Sequence, residues 1–597
     1  MKRKHVKLMA AVLAATLLVT GVMTGCGSKE PAGENSAVEN TVGEDAAGED
    51  AAGAQEETAK EPAEEWVSDP ALNEPGMEPI VKEPVTLKVV TGYDDWDDNW
   101  SIQQIKERLG VEFEWVVIPP DQFKEKLNLL LAGGEAVDLV LFPLGAGGRQ
   151  VISKAEEFKL AQQGLLTPLN DYIEHSSKYI KEYYDSNPEN YQNTTTPDGN
   201  IYSFQAPNPA YHVTMPYKLW INTEWLNNIG MDMPTTTEEF YEVLKAFKEQ
   251  DANGDGDPND EIPFSTCTSG AGTMIDGFIM NAFTLNEPAN VNAKRMRVSD
   301  DGKVEASFVD EEYREGLRFL NRLYEEGLLY ADSFTQDAKT QRAVNEAGDK
   351  ARIGCLLSQG MGYLVSSLVE STRWHEYEAL MPLKGPKGVQ LAPQVHPSCR
   401  TKEPNGLIPT SAEHPEVAFR LLDTLFAEEW VEIASYGEEG VDWRKAEEGE
   451  FGADGNPAQI TYLSNATDRE KKTMWESNPY PTKYHTEVTV DQDPKAPEGK
   501  GHEYILYQAT ERMSEYAADE KNMLPLFYYL PEENEKIATY SVTIDSYVSE
   551  SIARFITGDL DLDTDWDSYI DELNSFGLED YIATIQSGYD RWLANER

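Results

Sequence analysis

From Thr86 to Phe142 the chain alternates between two hydrophobic periods. Thr86-Leu-Lys-Val-Val-Thr91 is rich in β-branched residues at alternating positions and reads as a strand. Ser101 to Leu109 has helical spacing and stops at Gly110. Val111-Glu-Phe-Glu-Trp-Val-Val-Ile118 reads as a second strand. Phe123, Leu127, Leu130 and Leu131 then share a helical face that ends at Gly133-Gly134. Asp138-Leu-Val-Leu-Phe142 is a third, continuous strand. This β-α-β-α-β order predicts an α/β fold with a parallel sheet flanked by helices.

The pattern is less regular further on. Ile201 to Gln205 and Tyr217 to Asn222 read as extended segments leaving the first lobe. Thr235-Thr-Thr-Glu-Glu caps a helix whose Phe240, Val243, Leu244 and Phe247 share a face. Tyr313, Leu317, Leu320 and Tyr324 mark another helix, and Arg352 to Leu357 a strand. Ser411 is placed to cap a helix carrying Val417, Leu421, Leu422 and Leu425. Trp566, Tyr569, Ile570 and Leu573, then Tyr581, Ile582 and Ile585, give two helices parted by Gly577. A chain of 597 residues exceeds what one hydrophobic core organises, so at least two lobes are expected.

The first residues change the picture. Lys2, Arg3, Lys4 and Lys7 precede an apolar run from Leu8 to Met23. That is the layout of a secretory signal, and Met23-Thr-Gly-Cys26 resembles the bacterial lipobox, which makes residues 1–25 a lipoprotein signal peptide and Cys26 the lipidated residue. Residues 26–84 are dominated by Ala, Gly, Glu, Asp and Pro, and read as a disordered acidic tether. The folded body is expected over 85–597, with a first lobe of about 85–205 plus a later segment and a second of about 223–330 plus later segments.

Charge excludes some partners. The chain has 51 Lys and Arg against 106 Asp and Glu, a net charge of −55. Nucleic acids and anionic membrane surfaces need a basic patch, so neither is expected as a partner, and the membrane enters only through the lipid anchor. Three cysteines remain after Cys26, namely Cys267, Cys355 and Cys399, too few and odd in number for a disulfide framework. The eight histidines show no metal-ligand spacing.

The most specific local chemistry is Asp251-Ala-Asn-Gly-Asp-Gly-Asp-Pro-Asn-Asp-Glu261. Oxygen-bearing side chains recur at Asp251, Asn253, Asp255 and Asp257, and Gly254 and Gly256 let the backbone curl. Hard oxygen ligands at this spacing suit Ca²⁺, and the opening is that of an EF-hand loop. Position twelve, where an EF-hand has Glu, is Ile262, and the acids come earlier, at Asp260 and Glu261. The loop is therefore expected to hold a structural Ca²⁺ rather than to act as a sensor; an acidic turn without metal is the alternative.

Several stretches, in order, resemble the extracellular solute-binding lipoproteins (family 1 type) of bacterial carbohydrate ABC importers. They are Leu129 to Asp138, Gly164 to Ile173, Leu219 to Gly230 with Pro234 to Phe240, the acidic loop with its Glu-Ile-Pro ending, Ile408 to Glu416, and Tyr436 to Trp443. The resemblance implies a two-lobed, periplasmic-binding-protein-like (Venus-flytrap) fold with hinge crossings, closing over a carbohydrate. It implies ABC permease subunits as partners, a monomer on the extracellular face of the cell membrane, and no enzymatic activity. It also implies Ca²⁺ in the loop: the match carries over for Asp251, Asn253 and Asp255, extends to the Asp257 carbonyl and Glu261, and leaves Asn259 or Asp260 open.

Sugars are gripped by flat aromatic faces and planar polar groups on cleft-facing loops. By position the candidates are Trp96, Asn99 and Trp100 after the first strand, Gln205 beside a crossing, Gln359, and Tyr436, Glu439 and Trp443 after a helix. Trp374 and Arg400 are weaker candidates, and Trp115, Trp430 and Trp566 are expected to face the core. The rival readings are a glycosidase built on a carboxylate pair, the same fold with a peptide or anionic small molecule, and a surface adhesin. No Gly-x-Ser-x-Gly or His-Glu-x-x-His stretch supports an enzyme.

Overall fold

Alternating side chains on β1 (Val85–Thr91) feed two separate cores. Leu87 and Val89 pack with Ile105 of helix Trp100–Leu109, and Val90 packs with Phe123 and Leu127 of helix Phe123–Gly133. Both faces of the strand are covered, as a parallel sheet requires. These facts come from a computed structural model that describes residues 66–93, 96–142, 152–205, 210–288, 290, 293–392, 394–400, 404–474 and 486–595.

The remaining strands are β2 (Val111–Val117), β3 (Leu139–Leu141), β4 (Ser203–Phe204), β5 (Lys218–Asn222), β6 (Ile262–Ser265), β7 (Met296–Val298), β8 (Val304–Ala306), β9 (Ile353–Ser358), β10 (Tyr377–Leu380), β11 (Gly406–Leu407), β12 (Trp443–Lys445) and β13 (Ile460–Tyr462). One sheet has the order β2-β1-β3-β11-β4, with β1 parallel to β2 and β3, and β11 antiparallel to β3 and β4. The other has the order β10-β5-β9-β6, with β6 parallel to β9, and β5 antiparallel to β9 and β10. Each sheet organises one lobe. The expected α/β architecture is present, and β5 shifts the start of the second lobe from about 223 to Lys218.

The chain passes between the lobes between Gln205 and Tyr217, between Ala392 and Asn405, and between Met474 and His502; the first two passages are tied to each other and to the second-lobe segment 523–529. Val395 N–H donates to Thr214 O at 3.0 Å, Asn405 N–H to Phe204 O at 3.0 Å, and Leu526 N–H to Ser398 Oγ at 2.7 Å. His396 Nδ1 meets Ser398 Oγ at 2.7 Å, and burial pulls this imidazole down to about 4, leaving it neutral at pH 7.

Three sequence expectations need correction. The body starts at Trp66, not Val85. Leu72 bridges Val81, Ile80 and Val81 are buried, Ser68 Oγ donates to Glu416 at 2.6 Å, and Trp430 Nε1 donates to Glu78 at 2.7 Å. Averaging composition over 26–84 hid these few anchoring residues. Ser411 does not cap a helix, because Pro415 sets the first turn of helix Pro415–Thr424. Trp115 lies half-buried on edge strand β2, its Nε1 on Asp97 at 3.2 Å, whereas Trp430 and Trp566 are in the core as expected. Among the described residues no helix is long and apolar enough to cross a membrane. Cys26 and the signal segment lie outside the described residues.

Candidate functional site

Topology decides which loops can meet a ligand. β4 runs parallel to β3, since both oppose β11, so the chain leaves the first sheet at the edge where β1 and β3 end. It enters the second sheet at the start of β5, which is the edge where the antiparallel β9, and with it β6, ends. The carboxyl ends of the parallel strands in both lobes therefore face the crossings, the position where open α/β sheets bind ligands.

The described part of this face is built around helix His502–Ser514. The rings of Tyr211, on the first crossing, and Tyr507 lie 5.0 Å apart. Glu503 sits between two imidazoles, 3.7 Å from His212 Nδ1 and 3.2 Å from His502 Nδ1. Burial, then Glu511, Asp454 and Tyr211, push the Tyr507 phenol up. Beneath them lies buried Lys218, whose Nζ donates to His212 O at 2.9 Å and Met215 O at 2.6 Å. Burial lowers its pKa to about 7, against the pull of Glu503. Gln359, just past β9, is half-buried with its N–H on Ala271 O at 2.9 Å. That approach needs Gly272, at φ +72°, because a Cβ there would stand 2.1 Å from Pro216 O.

Most ligand candidates read from the sequence are structural. Trp96 is buried with Nε1 on Thr91 Oγ1 at 2.9 Å. Asn99 caps helix Trp100–Leu109 through Ile102 N–H at 3.2 Å and donates to Thr473 O at 2.8 Å. Trp374 is buried with Nε1 on Leu368 O at 3.2 Å. Tyr436 and Trp443 form a small core with Ile460 and Val488 beside β12 and β13. Each aromatic found enough apolar surface to disappear into, which a single sequence does not display. Trp100 and Gln359 stay half-buried and Glu439 is exposed, and all three remain available. The Arg400 side chain lies outside the described residues.

Gln205 has another role. Its Oε1 accepts from Lys154 Nζ at 3.0 Å, and its Nε2 donates to Ser203 Oγ at 2.8 Å and Tyr528 Oη at 2.9 Å. Tyr528 Oη donates to Glu157 at 2.7 Å, and the Lys154 ammonium lies 4.3 Å over the Tyr528 ring. Burial pushes Glu157 above the usual carboxylate range, opposed by Ser203, Lys154 and Tyr528. This buried network fastens segment 523–529 of the second lobe to the first lobe. Tyr211, Lys218, Tyr507 and Tyr528 were all missed in the sequence; the only signal was for Tyr211, which follows the Pro-rich break between two extended segments.

The acidic loop links helix Thr237–Glu249 to β6. Asp251 Oδ2 accepts from Gly256 N–H at 3.0 Å, Asn253 Oδ1 from Asp255 N–H at 2.8 Å, and Asp255 Oδ1 from Asp257 N–H at 2.9 Å. Asp260 is engaged elsewhere, by Arg352 at 3.1 Å and Asn253 Nδ2 at 3.1 Å. Asp251 Oδ1 and both carboxylate oxygens of Glu261 are buried without a hydrogen-bond partner, and burial raises the Glu261 pKa. Such orphaned acceptors are costly, and an oxygen-seeking cation would satisfy them. Among the described residues, no group of three or more His, Cys, Asp and Glu side chains is already drawn together as a metal site.

Comparison with known proteins agrees with this architecture. Residues 101–316 match the family profile of the bacterial extracellular solute-binding proteins. The fructooligosaccharide ABC transporter substrate-binding protein FusA of Streptococcus pneumoniae is 26% identical over 527 residues, 86% of this chain and 91% of FusA. The solved structure of a FusA EF-hand mutant with fructo-nystose has a TM-score of 0.68 at 25% identity, covering 86% of this chain and 100% of that one. A human-milk-oligosaccharide (HMO)-binding, ABC-transporter-associated solute-binding protein from Bifidobacterium longum infantis shares the fold, with a TM-score of 0.68 at 18% identity over 85% of this chain and 99% of that one. Over residues 101–316 the chain is thus similar to the bacterial extracellular solute-binding proteins, and over most of its length to FusA.

Proposed function

We propose that this chain is the substrate-binding component of an ABC importer. It captures an extracellular oligosaccharide between its lobes and delivers it to the permease. The observation that carries this reading is the facing of the two strand-end edges across the tied crossings, with the Tyr211–Tyr507 pair, Trp100 and Gln359 available there. Aromatic faces take the C–H side of a sugar, and Gln359 and Glu439 can bind its hydroxyls. FusA, which is named for fructooligosaccharides, supports the ligand class.

Capture works by a shift in lobe angle. Ligand held on one lobe gains contacts from the other when the crossings flex, and that gain moves the equilibrium toward the closed form. No bond needs to break, so the reading assigns no catalytic group. It places the protein on the outer face of the cell membrane as a monomer, held by lipidated Cys26 and a tether ending near Trp66.

The loop at 251–261 would hold one structural Ca²⁺ through Asp251, Asn253, Asp255, the Asp257 carbonyl and Glu261, with Asp260 left to Arg352. When bound, the ion would supply the positive charge that this cluster of carboxylates lacks. Asp251 and Glu261 bring the buried free oxygens, and the flanking helix and β6 fix their spacing. The EF-hand mutant of FusA supports the assignment. A thermal-shift screen of the full chain against neutral and uronic oligosaccharides, with and without Ca²⁺, tests both parts. A rise in Tm with at least one oligosaccharide is expected, and a flat response across the panel contradicts capture.

A further inference from the structure

Beside the crossings is a cavity of about 400 Å³ that neither the strand-end face nor the acidic loop uses. Its walls are Tyr191 to Asn193, Thr195 to Pro197 and Gly199 of the first lobe, and Leu526 to Tyr528 with Gly588, Arg591 and Trp592 of the second. β4 is the outermost strand of its sheet and residues 191–199 lead into it, whereas β1 and β3 lie on the far side of β11. The cavity thus lies by the segment that leads into the start of β4, whereas the proposed capture face lies at the strand ends.

The lining is not that of a packing defect, which is apolar. The rings of Tyr191, Phe527 and Trp592 stand among the Gln192 amide and the hydroxyls of Thr195 and Thr196. Gln192 Nε2 and Trp592 Nε1, one from each lobe, are donors with no partner. Both are closed to a water-sized probe, so an occupant engages them only when the Gln192 amide or the Trp592 indole turns toward the cavity. Arg591, the charged residue of the lining, is already held by Glu533 at 2.5 Å and donates to Tyr528 O at 3.2 Å. An ion therefore finds no free countercharge. A small uncharged polyol, with C–H faces for the rings and oxygens for the donors, fits this chemistry.

We propose that this cavity is a second saccharide site, sized for a mono- or disaccharide. An occupant would touch both lobes at once, so its affinity depends on lobe angle. Linkage then requires it to change the affinity of the capture face by the same factor. That coupling, though not the site itself, rests on the capture reading above.

Titration calorimetry of the full chain with D-fructose, D-glucose and sucrose, in wild type, Gln192→Ala and Thr195→Trp, tests the proposal. Thr195 is half-buried, so an indole there fills the cavity from its rim. At least one of the three sugars is expected to bind saturably, and both variants to weaken it about tenfold or more. Gln192→Ala keeps the test decisive if the tryptophan is not accommodated. No saturable binding up to ~100 mM, or binding that both variants leave unchanged, overturns the proposal. So does loss of small-sugar binding in Tyr211→Ala, which would place those sugars at the strand ends. If small sugars bind and respond to the variants while no oligosaccharide binds, the site stands and the capture reading falls.

Discussion

The acidic loop and the strand-end face respond to sequence in opposite ways. The loop is a local object: its oxygens alternate along eleven residues, its glycines take φ of +73° and +97°, and the orphaned oxygens of Asp251 and Glu261 lie ten residues apart. The strand-end face is assembled from Trp100, Tyr211, Gln359 and Tyr507, each from a different segment. Where spacing along the chain fixes spacing in space, residue type reveals chemistry. Where it does not, an aromatic on a loop is as readily a core residue as a binding surface. Trp96 and Trp100, four residues apart, differ in this way: the first is fully buried and the second stays half-exposed.

That pair gives the largest expected effect. Trp96→Ala removes a fully buried indole and its hydrogen bond, and a loss of about 3–5 kcal/mol in chemical denaturation is expected, against little change for Trp100→Ala. Equal stability losses would break the distinction. Next comes the loop. Chelation of the ligand-free protein is expected to lower Tm, corresponding to about 2–3 kcal/mol when Ca²⁺ stands at ~100 times its Kd, and Asp251→Asn is expected to do the same. Asp260→Asn tests the sharper point, because this carboxylate faces Arg352; Ca²⁺ affinity falling as far as in Asp251→Asn would return Asp260 to the ligand set.

Tyr528→Phe removes the hydroxyl shared by Glu157 and Gln205, and a loss of about 1–3 kcal/mol is expected from the buried groups left unpaired. Because this residue joins the two lobes, the variant's ligand-free solution scattering is also expected to change; an unaltered scattering curve would reduce it to an ordinary core contact. Tyr211→Ala is expected to weaken oligosaccharide binding by about 1 kcal/mol with Tm nearly unchanged. The reverse result would make Tyr211 one more Trp96.

The last effect is a slope rather than a single loss. Burial depresses the Lys218 pKa from 10.5 to about 7 in the folded chain. Across that window the unfolded chain holds a proton that the folded chain does not, so this residue's contribution to stability rises with pH from about 7 to 10.5 and is flat below. Lys218→Met is expected to remove that slope from the difference between variant and wild type, as read by urea midpoints at several pH values.

Fold was more legible than site. The β-α-β-α-β start announced itself because strand and helix periods are short-range properties, and the helix at 237–249 because Thr236 and Glu239 form its capping box. The packed stretch 66–84 was not legible, since three apolar residues in an acidic context became a folded segment only through partners such as Glu416 and Trp430, more than 300 positions away. Gln205 illustrates the intermediate case. Its place beside a crossing was readable, but its partners Lys154, Glu157 and Tyr528 come from two other elements and use up its hydrogen-bonding capacity.

The central claim is capture with closure of two lobes over an oligosaccharide at the strand ends. Small-angle scattering of the full chain, recorded with and without a saturating oligosaccharide identified in the thermal-shift screen, tests it most directly. The account expects the radius of gyration to fall on binding in the wild type, and the same fall in Tyr211→Ala only at higher ligand concentration. Tight, saturable binding with no compaction in either protein would contradict it.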